Sequence, residues 1–503
     1  MVKPLVVGCR WSVVSRQFCL SLIALLAFPA AGFAATLFCQ ISSISPAERS
    51  FKVSCTLSDF PAADKIELRF VDHFAGIERL SERLFGLQIK DASGQRLLPE
   101  LLGNGVYRIS PGTSSSLAVE YEMRLAQVNG AARDPSKYAL TSNLSSQCGF
   151  LLLSDVLPGI CPANQDACAP AAVRLKLQLP DEWQVATTEP ESFGAFDVAA
   201  VERAVFFIGR LRTQTLQIEQ MKIQLALAGD VALSDLQIAV LVEALARQQA
   251  AMISSQEQGH FLVTLTPFPV PLTGLRSAAL TRGRSVVMLL NPGSDPKQNL
   301  ALYQKHLAHE LFHFYLPEAF RARENFDWFW EGFTRYAAAL TLNRLRLMSL
   351  REYLDELGLE YEAYAINPLR KQVSLLAASQ GKFANAASYE LVYRKGTLVA
   401  ALYDLELRRQ SAGRHNVMDV LRELYANYRQ RELGNGEVLA TLRQAGKFEK
   451  FIMDYIAGTR DLALAEMLKP YGLKIETAGG APRVIVAGNL SLKQNALLAQ
   501  LGH

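Results

Sequence analysis

Basic residues barely outnumber acidic ones in this 503-residue chain, 52 to 48, and nowhere do they gather into a block. With no polybasic run, nucleic acid is not an expected partner. Cysteine is scarce, seven in all, and no two stand in a CxxC arrangement, so a cysteine-based metal cluster is not expected. Beyond residue 35 no apolar run is long enough to cross a bilayer. Repeats and low-complexity tracts are missing as well. What the chain does have is apolar material: 50% of its residues are hydrophobic, enough for real cores, and its length suits two to four domains.

The first 34 residues read as an export signal. "MVKPLVVGCRWSVVSRQ" carries Lys3, Arg10 and Arg16 and no acid, the apolar run "FCLSLIALLA" follows, and Pro29 breaks any helix before Gly32-Phe33-Ala34. Small residues in that spacing place the cut after Ala34, with a periplasmic or secreted product. Retention of residues 18–35 as a membrane anchor is the alternative, and only then is a membrane a partner. Cys39, Cys55, Cys148, Cys161 and Cys168 survive the cut, all in the first third of the mature chain. Their clustering points to disulfides formed under oxidising conditions. Cys39 with Cys55 suits a bridge between neighbouring strands, and one of the other three is left over.

Hydrophobic period divides the rest. From 36 to about 225, short alternating runs such as "ADKIELRFVD" and "LAVEYEMRLA" are separated by turn-rich pieces, the pattern of a β-sandwich. After Gly229 the period lengthens, and Ser234 with Gln237 opens a helix in capping-box spacing. "HFLVTLTPF" and "RSVVMLL" read as strands. From 299 onward the chain is mostly helical until a β-like tail containing "GGAPRVIVAGN".

One stretch carries chemistry. His309-Glu310-Leu311-Phe312-His313 fits HExxH within a helical run beginning near Leu300. Residues four apart share a helix face, so both imidazoles can grip one ion, with Glu310 beside them and free to touch a water on it. Glu331 lies 18 residues beyond His313, at the start of the next helical run "WFWEGFTRYAAAL". Two His and one Glu with a position open to water is the catalytic zinc arrangement. His306 lies three residues before His309, near the same helix face, but the HExxH helix already supplies two ligands, so a supporting or surface contact is expected of it instead. Asp327 and Glu324 are candidates for orienting a ligand imidazole, though loop acids are more often merely solvated.

HExxH followed by W-x-x-E-G-F resembles the gluzincin zinc peptidases, and its details are similar to peptidase family M61, the glycyl aminopeptidase family. "AVFFIGRLRTQ", "YRKGTLVAALYDLELR" and "FEKFIMDYIAGTRDLALAEMLKPYGLKI" resemble other parts of that family. The resemblance implies a multidomain chain. Residues 1–34 are a signal peptide, 35–225 a β-sandwich-like domain with disulfides, and 226–348 a thermolysin-like α+β catalytic domain. A C-terminal α-helical domain follows over 349–475, then a short tail, 476–503, without the PDZ module many relatives carry. It also implies one zinc ion, a peptide or protein substrate, Glu310 as general base, and Tyr393 as donor to the oxyanion, with Tyr389 a substitute one turn earlier. Family aminopeptidases hold the substrate's amino terminus with a glutamate in an upstream Gly-rich strand. The matching stretch here, Thr273-Gly274-Leu275-Arg276-Ser277, puts a guanidinium in the acidic slot. Gly274, Leu275 and Arg276 are therefore expected to bind substrate but to disfavour a free amine. The competing reading is an M61-like scaffold without turnover, serving as a peptide-binding or assembly factor.

Overall fold

The computed structural model describes residues 35–60, 65–125, 134–165, 168, 171–478 and 481–501. The signal peptide assigned to 1–34 lies outside them. Among the described residues, no helix is long and apolar enough to cross a membrane.

The N-terminal region is mostly β. Ala35–Ser45, Ser50–Ser58 and Ser116–Arg124 form the middle of an eight-stranded sheet, and two four-stranded sheets accompany it. Alternation is what makes these strands: along Ser116–Arg124, Leu117, Val119, Tyr121 and Met123 turn inward while Glu120 and Arg124 face solvent. Cys39 and Cys55 sit opposite each other on adjacent antiparallel strands and are disulfide-bonded, with Cα atoms 4.1 Å apart. Cys161 bridges Cys168, which leaves Cys148 free and buried, its Sγ 3.0 Å from Thr266 Oγ1.

A five-stranded sheet positions the site. Its strands are β1 (Arg212–Ile218), β2 (Met221–Leu227), β3 (Gly259–Pro267), β4 (Arg276–Arg282) and β5 (Ser285–Asn291), in the order β1-β2-β3-β5-β4. β2, β3 and β5 run parallel, and β4 returns antiparallel along the edge. β1 and most of β2 belong by position to the stretch ending at 225, yet they hydrogen-bond to the sheet of the following region. An alternating pattern specifies a strand but not its partner, and β2 finds its parallel neighbour only after helix α1 (Asp235–Ile253) has crossed the sheet. Successive side chains face opposite layers. Ile223, Val263 and Met288 pack on the helices, while Ala226, Leu262 and Val287 pack against Phe150 and Phe207 of the β region.

Helices follow. α2 (Pro296–Phe312) carries the HExxH residues and starts earlier than Leu300. Asp295 caps it through Lys297 N, and Pro296, whose missing N–H costs nothing in the first turn, opens it. α3 (Asp327–Arg344), α4 (Leu350–Ala365) and α5 (Ala386–Ser411) complete the surroundings of the site. α3 and α5 meet backbone to backbone at Gly332 and Gly396. A Cβ on Gly332 would lie 2.4 Å from the carbonyl carbon of Gly396, so only glycine permits this crossing. The tail is a hairpin, Leu473–Ala478 with Ala481–Val486, as its β-like pattern suggests, but it continues into a helix, Leu492–Ala499, started by a Ser491–Gln494 capping box.

Candidate metal centre

The two imidazoles of the HExxH segment come together through helix geometry alone. His309 lies in the last turn of α2 and His313 at its C-cap, with their Nε2 atoms 3.0 Å apart. α3 brings Glu331 to the same point: its Oε2 is 3.4 Å from His309 Nε2 and 3.6 Å from His313 Nε2. Three ligands on a tetrahedral zinc at about 2.1 Å would be about 3.4 Å apart, so these spacings suit one such ion. Glu331 Oε2 is buried without a hydrogen-bond partner among the described residues, an expensive state for a carboxylate oxygen unless a cation completes it. The donor set of two imidazoles and one carboxylate fits zinc. His313 Nδ1 lies 2.7 Å from the carbonyl of Leu316; donating there leaves the Nε2 lone pair facing the triad.

Charge is arranged around these ligands. Burial pushes the His309 imidazole down to about 4. Burial would do the same to His313, but Glu331 and Glu310 beside it lift it to about 9. Glu331 is held well below the usual carboxylate range: burial opposes this, and Lys382 and the two histidines outweigh it. Lys382 Nζ donates to Glu331 Oε1 at 2.7 Å and lies 3.3 Å from Asp327 Oδ2. Asp327 and Glu324, considered as partners for a ligand imidazole, serve elsewhere. Asp327 faces Lys382, and Glu324 accepts from Asn435 N at 2.8 Å.

Glu310 is buried beside the triad, which raises its carboxyl above the ordinary range. Thr281 Oγ1, from β4, lies 2.7 Å from Glu310 Oε2 and 2.9 Å from the Glu310 carbonyl, so strand and helix are tied at this carboxylate. Tyr393, on α5, packs against Tyr389 with ring centroids 4.7 Å apart, and Lys382 Nζ lies 4.9 Å from its own centroid. Burial and the Glu331 charge hold its phenol protonated, well above the ordinary value. His306 hydrogen-bonds Ser277 Oγ at 3.1 Å and takes no part in the ligand set.

A cavity of about 400 Å³ opens beside His309 and Glu310, lined by Tyr389 and Tyr393 and by Ser277, Ala278 and Ala279 of β4. Gly274, Leu275 and Arg276 do not line it. Arg276 is exposed and folds back to donate to the Leu275 carbonyl at 2.8 Å, so the expected substrate contact by this triplet has no counterpart in the cavity. The segment of this strand that lines the cavity begins one residue later, at Ser277. Lys382, Thr281 and Arg335, which also lines the cavity, carry no signal in the HExxH spacing. Arg335 alone could have been found, because it stands four residues after Glu331 on the same helix.

The M61 glycyl aminopeptidase family matches residues 303–399, the span that contains His309, Glu310, His313, Glu331 and Tyr393. Among curated proteins none matches the chain. In fold, the chain is similar to an aminopeptidase N family protein from Idiomarina loihiensis. That likeness runs at 19% identity over 91% of this chain and 82% of the other, with a TM-score of 0.74. It is also similar to a variant of the M1 zinc metallopeptidase from Deinococcus radiodurans bound to a Tyr-Ser-Ala substrate. There the identity is 15%, the coverage 86% of this chain and 94% of the other, and the TM-score 0.51. These likenesses establish a mostly β N-terminal region followed by a helical region. The segment that matches the M61 glycyl aminopeptidase family contains the whole ligand triad, His309, His313 and Glu331.

Proposed function

We propose that this protein is an exported peptidase that hydrolyses peptide bonds with Glu310 as general base and Tyr393 as donor to the developing oxyanion. The observation that carries the proposal is Glu331 Oε2: buried, unpartnered, and within 3.6 Å of both Nε2 atoms. Zinc held by His309, His313 and Glu331 would supply Lewis acidity and a water of lowered pKa. The work of the chain's own residues follows from their places. Glu310 accepts a proton from the attacking water, held to the task by Thr281, and returns it to the leaving amine. Tyr393, kept protonated, donates to the carbonyl oxygen as negative charge gathers there. β4 is an edge strand with unpaired backbone groups, along which an extended peptide can lie as one more strand.

Cleavage does not require a free amino terminus in this reading. Among the described residues, Glu310 alone of the cavity's carboxylates is without an ion-pair partner: Glu356 is paired with Lys305, Glu360 with Arg335 and Arg394, and Glu390 with Arg394. Among the described residues that line the cavity, no carboxylate other than the proposed base is left to hold a substrate ammonium. The two disulfides support export to an oxidising compartment.

Glu310→Gln tests the proposal. The variant is expected to bind zinc as the parent does and to cleave nothing in a peptide library read by mass spectrometry. Undiminished cleavage would remove Glu310 from the mechanism. Unchanged biological activity in the inactive variant would favour a binding or assembly role instead. Matched free and N-acetylated peptides test the second point, and strong selectivity for the free amine would defeat it.

A further inference from the structure

Arg335 is a cation in the cavity wall that engages only one of its three guanidinium nitrogens. One turn beyond Glu331 on α3, it reaches the cavity and places its guanidinium carbon 5.9 Å from the ring centroid of Tyr393. Its Nη2 is anchored by Glu360 of α4, a carboxylate only 5% exposed, while the Arg335 side chain is itself 29% exposed. Among the described residues, its Nε and Nη1 have no hydrogen-bond partner.

The neighbouring cations are more heavily paired: Arg394 uses two of its three nitrogens on two carboxylates. Arg394 gives Nη1 to both oxygens of Glu360, at 3.2 and 3.1 Å, and Nε to Glu390 at 2.7 Å. Lys305 is paired with Glu356. Beside Arg335 the wall turns apolar, with Leu302, Ala339, Leu342, Met348 and Leu357. A guanidinium fixed through one nitrogen in a partly shielded cavity wall keeps N–H groups with which to take an anionic oxygen pair.

We propose that Arg335 binds a carboxylate of the peptide substrate, and so selects peptides that place one close to the bond being cut. The carboxylate comes either from the peptide's own C-terminus or from an Asp or Glu side chain. This proposal rests on the peptidase reading for its meaning but not for its test.

The test measures binding as well as turnover. Peptide pairs differing only as free acid against C-terminal amide, and pairs differing only as Glu against Gln, are titrated into the zinc-loaded Glu310→Gln protein by calorimetry. The same pairs are assayed for kcat/KM with the parent enzyme. At least one pair is expected to favour the carboxylate by about 10- to 100-fold, and the pair that does so identifies its source. In Arg335→Gln that preference is expected to vanish while the amide and Gln peptides bind as before; Arg335→Lys is expected to restore part of it. Equal binding of every pair would overturn the proposal, as would a preference that survives in Arg335→Gln. Thermal melting of both variants, with retained binding of the neutral peptides, separates lost recognition from lost folding. Selective binding without any cleavage would sink the peptidase reading and leave this one standing.

Discussion

Lys382 Nζ donates to Glu331 Oε1 at 2.7 Å, while Oε2 of the same carboxylate is left for the histidine pair. One oxygen is thus fixed by protein and the other by whatever the triad holds. Partners of this kind set the orientation and charge of a ligand, and their loss typically costs 10- to 100-fold in metal affinity. Lys382→Met keeps the length of the side chain and removes the charge. We expect zinc to be retained about 10- to 100-fold less tightly, measured by competition with a chromophoric chelator. An unchanged zinc affinity would mean that Glu331 needs no such partner.

Thr281 does for Glu310 what Lys382 does for Glu331. Its hydroxyl is 2.7 Å from Oε2, on a strand that also lines the cavity. A hydrogen bond to a charged group is worth about 1.5–3 kcal/mol, and here it acts on the direction of the proposed base. Thr281→Val is nearly isosteric. It should lower kcat by about tenfold or more while zinc content and KM stay as in the parent. A loss confined to KM would assign Thr281 to substrate binding.

Far from the cavity, Glu67 shows how the β region is held. Arg108 Nη2 lies 2.8 Å from its Oε1 and Arg69 Nη2 2.7 Å from its Oε2. Burial alone would raise this carboxyl, but the hydrogen bonds from the two arginines outweigh it and the pKa falls below the ordinary value. A carboxylate depressed in the folded state adds stability in full above its unfolded pKa of about 4.3. That stability is lost as pH drops through the lower folded value. Glu67→Gln should therefore melt at a lower temperature than the parent at pH 7, and the gap should close under acid conditions below about pH 4. A gap of constant size across this range would show that the charge contributes nothing.

The metal centre was legible because its signal is local. His309 and His313 share a helix face by period, and Glu331 follows on the next helix after a short loop. Its supporting residues were not legible, because tertiary packing delivers them. Lys382 arrives from the segment between Leu375–Gln380 and α5, and Thr281 from the strand behind α2. Arg276 shows the limit of aligning a short glycine motif. On a strand a shift of one residue changes the facing side chain, and the cavity is met by Ser277, Ala278 and Ala279 instead. The tail helix could have been read from Ser491 and Gln494, the same capping pair that marked α1. Cys39–Cys55 was readable from alternation on adjacent strands, whereas nothing in the spacing singled out Cys148 as the free thiol.

Two glycines in the recognised motifs make a prediction of opposite sign to helix propensity. Gly332 follows Glu331, Gly396 lies three residues after Tyr393, and at their crossing the two helix backbones touch. In an exposed helix, Gly→Ala stabilises by about 1 kcal/mol. Here a Cβ on Gly332 would lie 2.4, 2.6 and 2.8 Å from three backbone atoms of Gly396, none of which can swing aside. A Cβ on Gly396 meets Trp328 O at 2.8 Å and Gly332 Cα at 3.1 Å, a milder clash. Both variants should therefore lower the melting temperature, Gly332→Ala more than Gly396→Ala, with costs of about 1–3 kcal/mol or above. The function should suffer beyond the stability. Prising α5 from α3 carries Tyr393 away from Glu331, and a misplacement of about 1 Å at a catalytic group can cost about 100-fold in rate. The informative measurement is kcat of Gly396→Ala at a temperature where it is fully folded, with zinc content checked. A lowered melting temperature with parental kcat would show that α5 can shift without moving Tyr393, and would remove the crossing from the mechanism.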